Sequence, residues 1–78
     1  MPRYYFDVYD GQSHLPDEEG LELDGIESVR SEAIRALPDI ARDVAPEGDE
    51  RSIVVAARDE SGQTVLMAAL SLNVRRMA

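Results

Sequence analysis

Between Arg3 and Tyr9 the chain alternates, with Tyr4, Phe6 and Val8 on one side and Arg3, Tyr5, Asp7 and Tyr9 on the other. Aromatic and β-branched residues at a period of two predict a strand with one face buried. Asp10-Gly11 suits a tight turn, and a short return strand over 12–15 follows it. Pro16 has no N–H to give to a ladder, so this strand ends there and lies at an edge. Asp17-Glu18-Glu19-Gly20 reads as a polar turn. Leu21 and Leu23 alternate with Glu22 and are expected to tuck beneath a helix.

From Asp24 the period changes. Asp24 is the expected N-cap, with Glu27 three residues on reaching back as in a capping box. Ile26, Val29, Ala33, Leu37, Ile40, Ala41 and Val44 recur at spacings of three and four, the stripe of an amphipathic helix. Arg35 with Asp39, and Glu27 with Arg30, are spaced for helix-surface pairs worth about 0.3 kcal/mol each. Pro38 interrupts the pattern. It has no N–H for the Ile34 carbonyl and crowds that turn, at about 3 kcal/mol in a straight helix. A kink or a restarted helix is therefore expected. Pro46, Glu47, Gly48, Asp49 and Glu50 then read as a polar link.

Residues 51–58 and 64–75 form a second alternating pair around Asp59-Glu60-Ser61-Gly62-Gln63, where Asp at the first position and Gly at the fourth mark a type I turn. Turn chemistry alone accepts a three-residue loop with Gly62 in a bulge. Matching the faces instead sets Ile53, Val55 and Ala57 opposite Leu70, Ala68 and Leu66, and this register is preferred, because a slip of one residue exchanges the faces. The expected fold is α+β: a small, mostly antiparallel β-β-α-β-β sheet with one main helix on one face, in a single domain over 1–78. A right-handed crossover through the helix predicts the third strand parallel to the first, with the long apolar fourth strand between them, an order 2-1-4-3.

One helix covers one face. The other face carries Tyr5, Val54, Ala56, Val65, Met67 and Ala69, rimmed by Arg3, Asp7, Arg58 and Ser71. A solvated sheet face normally alternates to charged or hydroxyl residues. An apolar one marks an interaction surface, so these six residues are the candidate interface for a second copy of the chain.

Composition narrows the function. A chain of 78 residues buries only roughly 60% of its unfolded surface, and small folds commonly gain support from disulfides, metals or a partner. Cysteine is absent, which removes disulfides and thiolate sites and leaves association. No apolar run approaches the roughly 18 residues of a membrane span, and the N-terminus offers no signal-peptide core, so a cytoplasmic location is expected. Sixteen acids against eight bases, all of them Arg, give a net charge of −8. Such a charge repels nucleic-acid phosphates and anionic lipid and keeps the chain soluble.

Candidate chemistry is sparse. His14, Asp17, Glu18 and Glu19 are the sole His/acid cluster, and their spacing on one short turn matches no metal site. Ser13 and His14 are neighbours in sequence, so on a strand their side chains point apart. No glycine-rich phosphate loop, G-x-S-x-G or H-E-x-x-H is present. Tyr4, Tyr5, Phe6 and Tyr9 have the look of a base-stacking platform, but only Arg3 accompanies them, and they read as core and interface aromatics. Arg75 and Arg76 add a small basic spot near the C-terminus and are expected to solvate the end of the last strand. No enzymatic activity and no cofactor are expected.

Met1-Pro2-Arg3-Tyr4-Tyr5-Phe6-Asp7-Val8, Asp10-Gly11, Asp17-Glu18-Glu19-Gly20-Leu21-Glu22-Leu23, the helix through Ala41-Arg42-Asp43, and Arg58-Asp59-Glu60-Ser61-Gly62 together resemble the bacterial domain of unknown function 6894 family, short alphaproteobacterial proteins. The resemblance spans nearly the whole chain and implies a small stand-alone bacterial protein, with no established activity, ligand or catalytic residue to carry over. Pro38 departs from the pattern. A weaker similarity, to the antitoxin domain of HicB proteins, is one of fold alone. The expected function is a non-catalytic interaction or structural module that homodimerises. The alternatives are an acidic regulator that occupies a basic protein partner in antitoxin style, and a small metal- or ligand-binding protein.

Overall fold

A computed structural model describes residues 1–11, 13–43 and 50–77. Gln12, Val44 and the link expected at 46–49 lie outside the described residues. The elements are β1 (Arg3–Asp10), β2 (Ser13–Leu15), β3 (Leu21–Glu22), α1 (Ile26–Asp43), β4 (Glu50–Arg58) and β5 (Thr64–Asn73). One helix packed on a mostly antiparallel sheet makes a small α+β fold.

The sheet order is β2-β1-β4-β5, with β3 also on β1. This overturns the expected order in two ways. β4, not β5, holds the centre, and it runs antiparallel to β1, with Tyr5 opposite Arg58, Asp7 opposite Ala56 and Tyr9 opposite Val54. The reason lies in β3. The chain returns along β1, pairing first as β2 (Val8 with Leu15) and then as β3 (Tyr4 with Leu21). It therefore enters α1 at the end where β1 began. The helix carries it back, and β4 descends again. The helical crossover joins β3 to β4, which are parallel to each other and straddle β1. β4 suits the centre because its small and branched residues pack on both sides, with Ile53, Val55, Ala56 and Ala57 all buried.

From Ile53 to Ala57 the β4–β5 register is the predicted one, opposite Leu70, Ala68 and Leu66, but the ladder shifts between Ala57 and Arg58, which pairs with Thr64. The Asp59 amide donates to the Gln63 carbonyl, so the turn itself is the three-residue loop with Gly62 at φ +90°, and the shift at Val65 restores the matched faces. In the turn, the Gly62 amide donates to the Asp59 carbonyl at 3.0 Å. The Asp59 carboxylate accepts from the amides of Ser61 and Gln63 at 2.9 and 3.0 Å. The bond from the Ser61 hydroxyl first, and then those amide bonds, hold its pKa below the usual carboxylate range.

The core forms where α1 meets β4. Val29, Ala33 and Leu37 are buried on the helix, Ile53, Val55 and Ala57 on the strand. Phe6, Val8, Ile40, Ala41, Leu66 and Ala68 pack around them. Ile26 and Ile34 remain about half exposed, as does Leu21, which pairs with β1 instead of tucking under the helix.

The helix begins one residue later than expected, with Gly25 and not Asp24 at its N-cap position. The Val29 amide closes on the Gly25 carbonyl at 3.1 Å, and the Asp24 carboxylate accepts from the Ser28 hydroxyl rather than forming a box with Glu27. Its surface ion pairs are Glu32 with Arg35 and Asp39 with Arg42, in place of Arg35 with Asp39 and Glu27 with Arg30. α1 runs unbroken through Pro38. Both Pro38 and Ile34 face solvent, the side on which water can reach the carbonyl that the missing N–H leaves unpaired. Pro38→Ala restores that N–H, so it is expected to raise stability by roughly 1–2 kcal/mol, read from the midpoint of urea unfolding. An unchanged or lowered midpoint would show that the ring is built into the packing.

Candidate functional site

Tyr5, Val54, Ala56, Met67 and Ala69 share the sheet face away from α1, while Val65 falls at the shift in the ladder, and the six residues divide into two zones. Tyr5 and Val54 are half-buried and Ala56 is buried. Val65, Met67 and Ala69 are exposed, Met67 at 66%. The exposed apolar content of this face is therefore concentrated on β5, while its β1 side is roofed by a polar network.

That network grows from a gap in pairing. Along its outer edge β1 bonds β2 at residues 8–10 and β3 at residues 3–4, which leaves the Phe6 amide between them without a strand. The Asp17 carboxylate takes the place of the missing carbonyl: Oδ2 accepts from the Phe6 amide at 3.0 Å, and Oδ1 accepts from the amides of Glu19 and Gly20, both at 3.1 Å. An Asp that bonds amides two and three residues on folds its own loop. The Asp17 amide in turn donates to Asp7 Oδ1 at 2.9 Å.

Arg58 closes the arrangement. Its Nε donates to Asp7 Oδ2 at 2.8 Å and Nη2 to the Asp17 carbonyl at 2.9 Å, and its guanidinium lies 4.6 Å from the centre of the Tyr5 ring. Asp7, which the sequence placed on an open rim, is 7% exposed. Burial pushes its carboxyl upward, but the Arg58 bond, the Asp17 amide and the Arg58 charge outweigh it and hold the pKa below the usual range. Asp17 behaves alike: burial raises it, while the amides of Phe6, Gly20 and Glu19 and the Arg58 charge bring it lower. Arg58 is raised, first by its bond to Asp7. Both carboxylates are ionised near neutrality and each of their oxygens already accepts a bond, so neither is set to take a proton from a substrate.

Gly20 seals the loop at φ +72°. A Cβ there would lie 2.8 Å from Tyr5 Cε2, 2.9 Å from Arg3 Cγ and 3.0 Å from the Tyr4 carbonyl oxygen. The loop lies flat on Arg3 and Tyr5 because position 20 has no side chain.

The His/acid cluster does not assemble. His14 stacks on Tyr9, with ring centres 4.4 Å apart and planes 3° from parallel, and Asp17 turns inward. Among the described residues no group of three or more His, Cys, Asp or Glu is placed to hold a metal ion. A second ion pair, Arg51 with Asp10, is bidentate at 2.8 Å and lowers the Asp10 pKa. Asp10 also borders a groove of about 210 Å³ with Val8, Ser13, Leu15 and Ile40. No helix among the described residues is long and apolar enough to cross a membrane.

Sequence reasoning treated Asp17 as a solvated turn residue and Asp7 and Arg58 as separate rim charges. The available signals were an Asp-x-x-Gly after Pro16, and an Asp inside β1 with an Arg at the end of a strand that could lie beside it.

A family model described as domain of unknown function (DUF6894) matches residues 3–71, a span that contains every residue of the network. No curated protein and no solved structure matches the chain at a significant level.

Two outcomes test the network. Gly20→Ala is expected to cost about 2 kcal/mol or more, from the left-handed backbone and the overlap together, whereas Gly11→Ala, at φ +59° with open space around it, costs about 1 kcal/mol. Equal urea midpoints for the two variants would remove the close-packing account. Because Asp7 and Asp17 are depressed in the folded state, the unfolded chain binds protons first as the pH falls, and stability drops below about pH 4. Asp7→Asn is expected to lose about 2 kcal/mol at pH 7 and to show a shallower acid limb when urea unfolding is followed from pH 7 to pH 3.

Proposed function

The chain belongs to the DUF6894 family, and we propose that it is a non-catalytic interaction module that works as a homodimer. One observation carries this reading: β5 gathers exposed apolar residues in a strand that has no charged residue at all. Thr64–Asn73 reads TVLMAALSLN within a chain of net charge −8. Val65, Met67, Leu70 and Leu72 are 37%, 66%, 38% and 47% exposed.

Two chains of charge −8 repel one another over most of their surface, and the repulsion is weakest where neither carries charge. β5 is such a place, and covering it removes apolar area worth about 25 cal/mol for each Å². The saturated carboxylates of the network favour a structural over a chemical role for the polar half of the same face. The setting we infer is the cytoplasm of a bacterium of the alphaproteobacterial kind, following the resemblance of the opening and acidic-turn motifs.

Light scattering on the purified chain is expected to give twice the monomer mass at micromolar concentration. Met67→Lys should shift the chain toward monomer by about tenfold in dissociation constant with an unchanged circular dichroism spectrum. A wild type that stays monomeric throughout that range removes the homodimer.

A further inference from the structure

We infer that the second copy docks edge to edge: the outer edge of β5 pairs antiparallel with β5 of its partner, about a two-fold axis near Ala68, so that the two sheets become one with both helices on the same side. This deepens the homodimer reading and rests on it.

The two edges of the sheet are built differently. On the β1 side the edge strand β2 is three residues long and is followed by Pro16. The gap behind it is plugged by Asp17, whose carboxylate already holds the Phe6 amide. On the other side, among the described residues, β5 has β4 as its one strand neighbour. A ten-residue strand in that position turns the N–H and C=O of alternate residues outward. Edges of this kind are ordinarily blunted by charges, prolines, bulges or brevity. Thr64–Asn73 contains no charge and no proline, and its ladder to β4 runs regularly from Leu66 to Asn73. The chain protects one edge and leaves the other suited to pairing.

The charges at the ends of β5 choose the direction. Asp59 and Glu60 stand before the strand and Arg75 and Arg76 after it, and Glu60, Arg75 and Arg76 are exposed. A parallel copy would set acid against acid and base against base. An antiparallel copy sets each basic end beside the other's acidic turn, and the contact is made twice. With the axis through Ala68, the end of β5 that precedes Arg75 and Arg76 in one chain lies toward the Asp59–Gln63 turn of the other, where Glu60 already accepts from the Arg3 amide of its own chain, so the match is one of overall charge at the two ends and not of a single ion pair.

The side chains agree with this register. A two-fold axis perpendicular to the sheet keeps each face on its own side. Leu66 then meets Leu70 of the second copy on the helix side, and Met67 meets Ala69 on the other. The exposed apolar residues of both faces of β5 thereby extend across the junction. The contact is isologous, and the blunted β1 edges face outward at both ends, so growth stops at two chains.

The absence of cysteine permits nitroxide labels at single introduced cysteines, Ala69→Cys, Ser71→Cys and Asn73→Cys, all at exposed positions. Light scattering is run on each labelled protein and on the unmodified chain. Each step away from the axis adds about 7 Å between the copies, twice the rise of a strand. The separation is therefore expected to be shortest at position 69 and to lengthen by about 14 Å to position 71 and again to position 73. As a label-free readout, diluting the unmodified dimer to monomer should speed amide hydrogen exchange at alternate residues of β5. A dimer whose distances do not rise along β5, or whose β5 amides exchange alike on dilution, overturns edge pairing and leaves the homodimer standing. A monomeric unmodified chain overturns both.

Discussion

The structure depends on a carboxylate standing in for a piece of backbone. β1 is the strand from which the sheet is built, yet the chain returning along its outer edge bonds it only at the two ends. The middle amide, that of Phe6, would be an unmade hydrogen bond in a partly buried place, and such a group costs about 1–3 kcal/mol. Asp17 supplies the acceptor. A charge brought that far inward needs further donors, and its neighbours provide them through the amides of Glu19 and Gly20. Asp7 receives the Asp17 amide, and Arg58 balances Asp7 from the next strand. The loop, the strand beneath it and β4 are thereby fastened through one connected set of bonds. Among the described residues, no buried side-chain nitrogen or oxygen lacks a partner, the condition under which a polar cluster steadies a fold rather than weakening it.

This clasp also decides what each face of the sheet is free to do. Arg58 lies over Tyr5, and the loop covers the β1 side, so the face away from the helix is open chiefly along β5. On the opposite face the helix packs across both β4 and β5, yet Leu70 and Leu72 of β5 stay partly uncovered. Both faces grow more apolar and more accessible toward the same edge. Exposed apolar side chains also occur singly elsewhere, at Leu15, Leu21, Ile26 and Ile34, but β5 is where they recur along one strand with no charge among them.

Much of this architecture was legible in the residues, and what was legible was local. The alternation from Tyr4 to Val8, the stripe from Val29 to Ala41 and the matched faces of Ile53 with Leu70 each repeat a simple period within one segment. The strand order was not, because it turns on β3, two residues long and too short to carry a period. Those two residues bring the chain back to the start of β1 before the helix begins and so reverse the direction of β4. The clasp was hidden for a related reason. Asp17 meets Phe6 from 11 residues away and Arg58 meets Asp7 from 51, distances over which no spacing rule applies. Pro38 does not end and restart the helix, which runs continuously through it. Its cost is real, but it falls on the solvent side of the helix, where an unpaired carbonyl is tolerated.

The face-to-face rings of Tyr9 and His14 have a consequence for how this fold can be watched. The chain has no tryptophan, three tyrosines and one phenylalanine, so phenol rings dominate its near-ultraviolet emission. One of these rests against an imidazole carried by the hairpin's short arm. Opening that arm parts the two rings, and the emission of the chain becomes a native reporter of the hairpin, with no dye attached.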